Sequence, residues 1–194
     1  MPILGILASS ITGGLVTDSG AMFPIQSVVV PSAGATQITF NNIPSTYSHL
    51  QLRCYMAGTY SGGGLASFPV RFNSDSGANY AWHELYGTGS TAGASTVGGS
   101  QNQFYLERIP TLSTQDYIYG TSILDILDYT STTKAKTVRQ LAGVDKNGSG
   151  EIYLASSLWN PSTPVAITRI DIIQPSSSYT FRQYSSFALF GVKA

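Results

Sequence analysis

Nucleophilic catalysis by a serine or cysteine needs an imidazole or another base beside the nucleophile. Only His49 and His83 supply an imidazole, and no G-x-S-x-G turn occurs although the chain contains 20 glycines. His49 stands on the polar side of an alternating run, beside Arg53, which is typical of a surface histidine. The sequence therefore predicts no catalytic serine or cysteine.

Paired carboxylates would indicate glycoside hydrolysis. The nearest pair is Asp125 and Asp128 in the run ILDILDY. On a strand their odd spacing directs them to opposite faces, and Asp128 is expected to end the strand and begin a turn. Glu84 and Glu107 could pair across strands, but nothing in the sequence brings them together. We expect the chain not to be an enzyme.

A calcium-binding loop is suggested by Asp145, Asn147, Ser149 and Gly150. The position that should supply a bidentate carboxylate is Ser156, and no helical pattern flanks the segment. A glycine-rich hairpin turn explains the same residues. We predict neither a metal site nor a cofactor.

Aromatic residues suggest a different kind of site. In the run NYAWHELY, Tyr80, Trp82 and Tyr86 share one strand face, opposite His83. An outward face would form a stacking strip for a glycan, whereas an inward face would belong to the core, which is the usual place for large aromatic side chains. Two stretches predicted to be loops, residues 87–100 and 59–64, are poor in large apolar side chains and are further places for such binding.

Alternating apolar residues predict the elements that would position these groups. In residues 49–56, Leu50, Leu52, Cys54 and Met56 occupy one face, and Cys54, the one cysteine of the chain, is expected to be buried. Roughly ten strands and no long helix indicate an all-β fold, an antiparallel β-sandwich or jelly roll. The strands are predicted at residues 36–40, 49–56, 68–73, 79–86, 103–108, 117–128, 136–145, 151–159, 165–174 and 186–193.

Few side chains of this protein are charged. Asp, Glu, Lys and Arg make up 10% of 194 residues, and the formal net charge is +0. Such a surface lacks the positive charge that a phosphate backbone or an anionic bilayer requires, so we predict no nucleic-acid partner and no membrane insertion. A polar surface with few charges favours association, which suits the subunit of an oligomer.

The amino-terminal residues are apolar without resembling a signal or an anchor. Glycines interrupt the stretch, and it has no basic flank and is too short to span a bilayer. We predict a docking arm at residues 1–22, followed by a β-sandwich domain at residues 23–194. The arm would bury five aliphatic side chains against another subunit: Ile3, Leu4, Ile6, Leu7 and Ile11.

Several runs resemble a family of virion proteins of tailed bacteriophages. They are IPSTYSHLQLR at residues 43–53, RFNSDSGANYAWHELYG at 71–87, ILDILDYTSTTKAKTVR at 123–139 and FALFGVK at 187–193, and the opening PILGILASS resembles the start of phage head and tail appendage proteins. The resemblance implies a virion location, β-rich homo-oligomers with trimers favoured, and capsid or tail subunits as partners.

Two functions follow from this resemblance. The first is structural: a capsid decoration or cement protein, or a small head, neck or tail appendage. The alternative is a receptor-binding tail-fibre module that recognises a host-surface glycan through loops such as residues 87–100. The strand pattern adds Tyr80, Trp82 and Tyr86 as candidate glycan-binding residues. The resemblance supplies no catalytic residue.

Overall fold

A computed structural model describes residues 21–59, 64–111, 117–176 and 179–193. Within these residues the protein has twelve strands and no helix, so the predicted all-β fold is confirmed. The strands are β1 Met22–Val29, β2 Gln37–Phe40, β3 His49–Met56, β4 Leu65–Phe72, β5 Tyr80–Gly87, β6 Ala92–Gln101, β7 Phe104–Pro110, β8 Gly120–Ile126, β9 Lys136–Asp145, β10 Gly150–Trp159, β11 Ile170–Ile173 and β12 Ser186–Val192. None of the described residues forms a helix long and apolar enough to cross a bilayer.

Two antiparallel sheets form the sandwich. The larger has eight strands in the order β1-β12-β3-β8-β9-β10-β5-β6, and the smaller has four in the order β2-β11-β4-β7. Strand β7 of the smaller sheet packs across β8, β9 and β10 in the middle of the larger one. The smaller sheet thus covers the inner face of the central strands.

Each of the ten predicted strands corresponds to an observed one, and two further strands were not predicted. The prediction of a loop at residues 87–100 is wrong, because β6 occupies most of that stretch. Strand β6 is an edge strand that pairs with β5, and most of its residues are exposed. Its backbone hydrogen bonds to β5 hold it in place, so it needs few large apolar side chains. The other shorter predicted loop, residues 59–64, lies mostly outside the described residues.

The predicted amino-terminal arm also lies largely outside the described residues. This applies to all five of its aliphatic positions, Ile3, Leu4, Ile6, Leu7 and Ile11. Strand β1 begins at Met22 and pairs with β12, so the last residue assigned to the arm already belongs to the larger sheet. The sheet therefore begins one residue before the predicted boundary at residue 23.

Alternation along the strands builds the core. In β9 and β10, every second side chain is buried, as the pattern of a strand with one covered face requires. Aromatic rings fill the middle of the layer: Phe72 lies 5.3 Å from Phe104 and 5.6 Å from Trp159 between ring centroids. The Trp159 indole donates a hydrogen bond to Asp75 at 2.7 Å. Trp159 is thus part of the core at the end of β10.

The segment that resembles a calcium loop is the turn between β9 and β10. Asn147 and Gly148 both have positive φ, 55° and 108°, and the amide of Lys146 donates to the carbonyl of Ser149 at 2.6 Å. Two successive residues with positive φ define a type I′ turn, which matches the twist of a two-stranded hairpin. The predicted hairpin turn is confirmed. Asp128 likewise begins a turn, since its carbonyl accepts from the amide of Ser131 at 3.0 Å.

One buried carboxylate connects three parts of the smaller sheet. Asp171, on β11, accepts hydrogen bonds at 2.8 Å from Gln37 and Thr39 of β2, at 3.0 Å from Ser74 and at 2.8 Å from the Arg169 guanidinium. Burial alone would raise the pKa of Asp171, but these donors and the charge of Arg169 outweigh it and hold the pKa below its usual range. The carboxylate is therefore stable as an anion beside β2 and β4.

We predict that Asp171→Asn lowers the free energy of unfolding by about 2 kcal/mol at pH 7, because a charged acceptor is replaced by a neutral one. A carboxyl whose pKa is lower in the folded chain contributes stability above its unfolded pKa of about 3.9 and loses it as the pH falls through the folded pKa. Urea unfolding at pH 7 and pH 3 should therefore show the difference between variant and parent shrinking at the lower pH. A matched control is Asp145→Asn, because Asp145 is exposed and accepts from the Asn147 amide in its own turn. An Asp171→Asn loss at pH 7 no larger than that of the control would contradict the prediction.

Candidate interaction surface

Four aliphatic side chains form a row across the outer face of the larger sheet. Ile123 on β8 is paired with Leu141 on β9, Leu141 with Leu154 on β10, and Leu154 with Leu85 on β5. Paired residues of adjacent strands point to the same face, and adjacent strands lie about 4.8 Å apart. The aliphatic row, as we call these four residues, therefore crosses four strands and is roughly 14 Å long.

The row is exposed because its neighbours along each strand are turned inward. Leu141, for example, lies between buried Gln140 and buried Ala142. The exposed fractions of Ile123, Leu141, Leu154 and Leu85 are 37%, 50%, 47% and 57%. Further large apolar side chains on or beside the same face are also exposed: Leu127, Ile152 and Leu158. An apolar surface extending over several strands is a mark of an interaction site.

A groove lies at one end of the row. It has a volume of about 740 Å³ and is formed by strands β5, β6, β9 and β10 together with Leu127. Its lining includes His83, Leu85, Ala94, Thr96, Leu127 and Leu154. Leu85 and Leu154 belong to the aliphatic row, so the groove continues that row toward β6. Most of its lining atoms are apolar, which suits an apolar segment of another molecule.

An ion pair lies on the sheet beside the row. The Arg139 guanidinium donates to Asp125 at 2.7 Å, and the Gln51 amide donates to the other oxygen of the same carboxylate at 2.8 Å. Burial would raise the pKa of Asp125, but these hydrogen bonds and the charge of Arg139 lower it overall. Asp128, the other member of the predicted carboxylate pair, instead binds Lys134 at 2.8 Å. The two aspartates therefore have separate cationic partners. Gln51, Asp125 and Arg139, which are paired across β3, β8 and β9, form a polar row next to the aliphatic one.

The aromatic side of β5 faces inward. Tyr80 is fully buried, and its hydroxyl accepts from the amide of Phe72 at 3.1 Å. Trp82 packs edge-on against Tyr105 at 5.1 Å, and Tyr86 stacks on Tyr153 at 5.6 Å. Trp82 and Tyr86 are half-buried. The interpretation of this face as core is confirmed for Tyr80, which therefore cannot belong to an outward stacking strip. The physical reason is that β5 lies beside β10 under the smaller sheet, where large rings fill the space between the layers.

A second cluster joins residues that the sequence left apart. Tyr153 on β10 donates from its hydroxyl to Glu84 on β5 at 3.2 Å and accepts from the Arg108 guanidinium of β7 at 2.5 Å. Arg108 also lies 3.1 Å from Glu151, between Nε and Oε2. Next to Arg108, Glu107 is only 7% exposed and accepts from the Ser67 hydroxyl at 2.5 Å. The structure thus brings Glu84 and Glu107 to one polar cluster between the sheets.

An irregularity in β4 and β7 explains why this cluster could not be predicted from the sequence pattern. The register of the two strands shifts between Ala66 and Phe68, and Arg108 has a φ of 57°. A bulge of this kind breaks strict alternation, so the consecutive residues Leu106 and Glu107 are both buried. Alternation alone would have placed Glu107 on the outer face.

Burial raises the pKa of Glu107. The hydrogen bond from Ser67 opposes this effect, the negative charge of Glu84 adds to it, and Arg108 again opposes it, with a net rise. The cluster contains no serine or cysteine paired with an imidazole. Among the described residues, no group of three or more His, Cys, Asp or Glu side chains is placed to hold a metal ion. The cluster is an internal polar network of the sandwich.

Comparisons with known proteins found no match. No protein-family model, no curated protein and no solved structure matches this chain. The surface chemistry and the resemblance of the sequence runs are therefore the basis for a functional proposal.

We predict that the free energy of unfolding of Glu107→Gln, compared with that of the parent protein, is more favourable at pH 7 than at pH 4. A carboxyl whose pKa is raised on folding costs stability as the pH rises from its unfolded pKa, about 4.3, through the folded value, because only the unfolded chain releases the proton readily. The glutamine has nearly the same shape and does not ionise. Urea unfolding of both proteins should give a variant that is relatively more stable at pH 7 than at pH 4.

The variant Glu107→Ala separates charge from shape. It removes the acceptor of the Ser67 hydroxyl and leaves a small cavity, so it should lose stability at both pH values, by about 1 to 3 kcal/mol. If Glu107→Gln changed the free energy of unfolding equally at both pH values, the pKa of Glu107 would not shift on folding, and the prediction would be wrong. A larger loss at pH 7 than at pH 4 would also contradict it, because the ionised carboxylate would then stabilise the fold.

Proposed function

We propose that this chain is a structural subunit of a tailed-phage virion. It acts as a capsid decoration or cement protein, or as a small appendage of the head, neck or tail, through protein-protein contacts. The observation that carries the proposal is the exposed aliphatic row on the outer face of the larger sheet. Burying its half-exposed side chains against another protein would stabilise a contact at roughly 25 cal/mol for each Å² of apolar surface.

The surrounding chemistry supports contact with protein. The ion pair of Asp125 and Arg139 neutralises two charges beside the row, and the chain as a whole has a formal net charge of +0. Association of this face with a segment of another protein therefore meets little electrostatic repulsion. A homo-oligomer, which the resemblance to phage proteins also implies, is consistent with this surface.

The geometry gives the glycan-binding alternative less support than the structural function. Residues 87–100, where a binding loop was expected, form most of strand β6, and Tyr80 is buried in the core. Neutral sugars stack on exposed rings, and the inward side of β5 does not present such a surface. We therefore propose the structural function alone.

In this proposal the amino-terminal segment anchors the subunit. Its five aliphatic residues, Ile3, Leu4, Ile6, Leu7 and Ile11, would be buried on a neighbouring protein of the particle. Their burial would contribute roughly 6 to 12 kcal/mol before the costs of ordering the segment and of association. The sandwich of residues 22–193 would then remain on the surface of the assembly.

The direct test is whether the chain is part of the particle. Particles of the phage that carries this gene, purified on a density gradient, are expected to contain the chain at a fixed copy number and to keep it after a wash in high salt, because apolar contacts are insensitive to screening. A map of the particle at modest resolution should show the subunit on the head, neck or tail. Recovery of the full-length chain only from the soluble fraction of the lysate would contradict the proposal.

Deletion of residues 2–12 tests the anchoring step. We expect a soluble, folded sandwich, with the melting temperature of the parent, that no longer joins the particle. The full-length chain expressed from the same vector serves as the control. Incorporation of the truncated chain at normal copy number would refute the anchor.

A further inference from the structure

The shape of the groove restricts what can fill it. The groove is a concave, largely apolar volume of about 740 Å³ lined by Leu85, Leu154 and Leu127 at one end of the aliphatic row. Two such concave faces packed on each other would enclose empty space, and a void forfeits the contacts of the atoms that line it. The groove therefore suits a narrow apolar segment better than another copy of the same sheet.

The chain itself contains one segment with the matching chemistry outside the described residues. Residues 1–17 include no charged side chain and carry Ile3, Leu4, Ile6, Leu7, Ile11, Leu15 and Val16. The other stretches outside the described residues are YSGG at 60–63, LSTQD at 112–116, SS at 177–178 and the final alanine. None of these has more than one large aliphatic side chain. Two charged residues line the groove, and both have partners: Arg139 is paired with Asp125, and Glu84 accepts from the Tyr153 hydroxyl. An uncharged segment suits such a groove.

The position of β1 bears on whether the segment would come from the same chain. Strand β1 is at one edge of the larger sheet, and β10, in the floor of the groove, is five strands away. Five intervals of about 4.8 Å give a distance of roughly 24 Å. Residues 12–21 could span at most about 33 Å when fully extended, whereas an unconstrained ten-residue chain averages roughly 16 to 19 Å between its ends. The near wall of the groove, β9, is four strands from β1, or roughly 19 Å away, at the upper end of that average. To reach the floor at β10 the chain must be stretched beyond the average, whereas a neighbouring copy has no such requirement.

We infer that the groove between β5, β6, β9 and β10 is the docking site for residues 2–11 of a neighbouring copy of this chain. The inference rests on the proposed function, because it identifies the partner of the amino-terminal segment. In a ring of copies, each chain would give its segment to the next and receive one from the previous chain, which is a heterologous contact that closes by symmetry. The surface Ile123 and Leu141, beyond the groove, would remain for contact with other proteins of the particle.

Self-association of the purified full-length chain tests the docking site. Leu154→Lys places a charge on the groove floor and is expected to weaken self-association at least tenfold in sedimentation equilibrium, as deletion of residues 2–12 should also do. Combining both changes should weaken it no further, because both remove the same contact. The matched control is Val29→Lys on β1, where an aliphatic side chain is 65% exposed but lies outside the groove; it should leave association unchanged. Melting curves verify that each variant is folded.

An unchanged association constant for Leu154→Lys, or an equal loss for Val29→Lys, would overturn the inference. So would additive losses in the combined variant, since they would show that the segment and the groove make separate contacts.

A cysteine pair tells which chain supplies the segment. Ile6→Cys is introduced in one copy and Leu154→Cys in a second copy of different size, and the native Cys54 is buried and does not compete. A disulfide between the two copies after mild oxidation is the expected result. A disulfide that forms only within one chain carrying both substitutions would assign the groove to its own segment, and no disulfide in either arrangement would reject the groove as the site. These experiments use the isolated protein. A negative result would therefore refute the docking site, whereas absence of the chain from the particle would refute the proposed function.

Discussion

The packing of two sheets across a single apolar layer is the constraint on which the rest of this structure depends. Because strand side chains alternate with a period of two, burying one face of β8, β9 and β10 decides the position of every residue on these strands. A slip of one residue would put Leu124 and Val138 in water and would bury Arg139. The same register that builds the core therefore places Ile123, Leu141 and Leu154 on the outer face. The same strand register therefore determines both the buried core and the exposed aliphatic row.

That alignment also determines which polar groups must be satisfied inside. Lys136 falls at an inward position of β9 and is buried, so its ammonium donates to the carbonyls of Ser131 at 2.6 Å and of Lys134 at 2.7 Å. Burial lowers the pKa of Lys136, and the nearby charge of Asp128 opposes that effect. Backbone carbonyls of the turn between β8 and β9 thus replace water as the hydrogen-bond acceptors of this buried ammonium. Asp171 shows the same principle in the smaller sheet, where donors from β2 and from the residues around β4 surround one carboxylate.

Regular alternation of buried and exposed residues made the central strands predictable from the sequence. The edge strands, the cluster around Tyr153 and the aliphatic row do not follow from alternation within one strand, so they were not predicted. The predicted bounds of residues 49–56 and 136–145 coincide with β3 and β9, because these strands have one covered and one exposed face. Strands β1 and β6 escaped prediction because an edge strand is held through backbone hydrogen bonds to one neighbour. The cluster around Tyr153 was invisible because it depends on strands far apart in the chain and on the bulge at Arg108. The aliphatic row was hidden for a related reason: each strand contributes one side chain, and only the pairing register aligns the four.

The aliphatic row has a simpler explanation that must be weighed against a docking role. Cross-strand aliphatic pairs stabilise a sheet by a few tenths of a kcal/mol each without any partner molecule. Threonine, however, is also a favourable strand residue, and Thr121 and Thr137 occupy outward positions of β8 and β9 in this same sheet. Four large aliphatic residues in register, each between 37% and 57% exposed, therefore exceed what the sheet needs for its own stability. In the docking proposal another protein segment covers the remaining apolar area, and the groove beside β5 and β6 at the end of the row is the surface that would receive it.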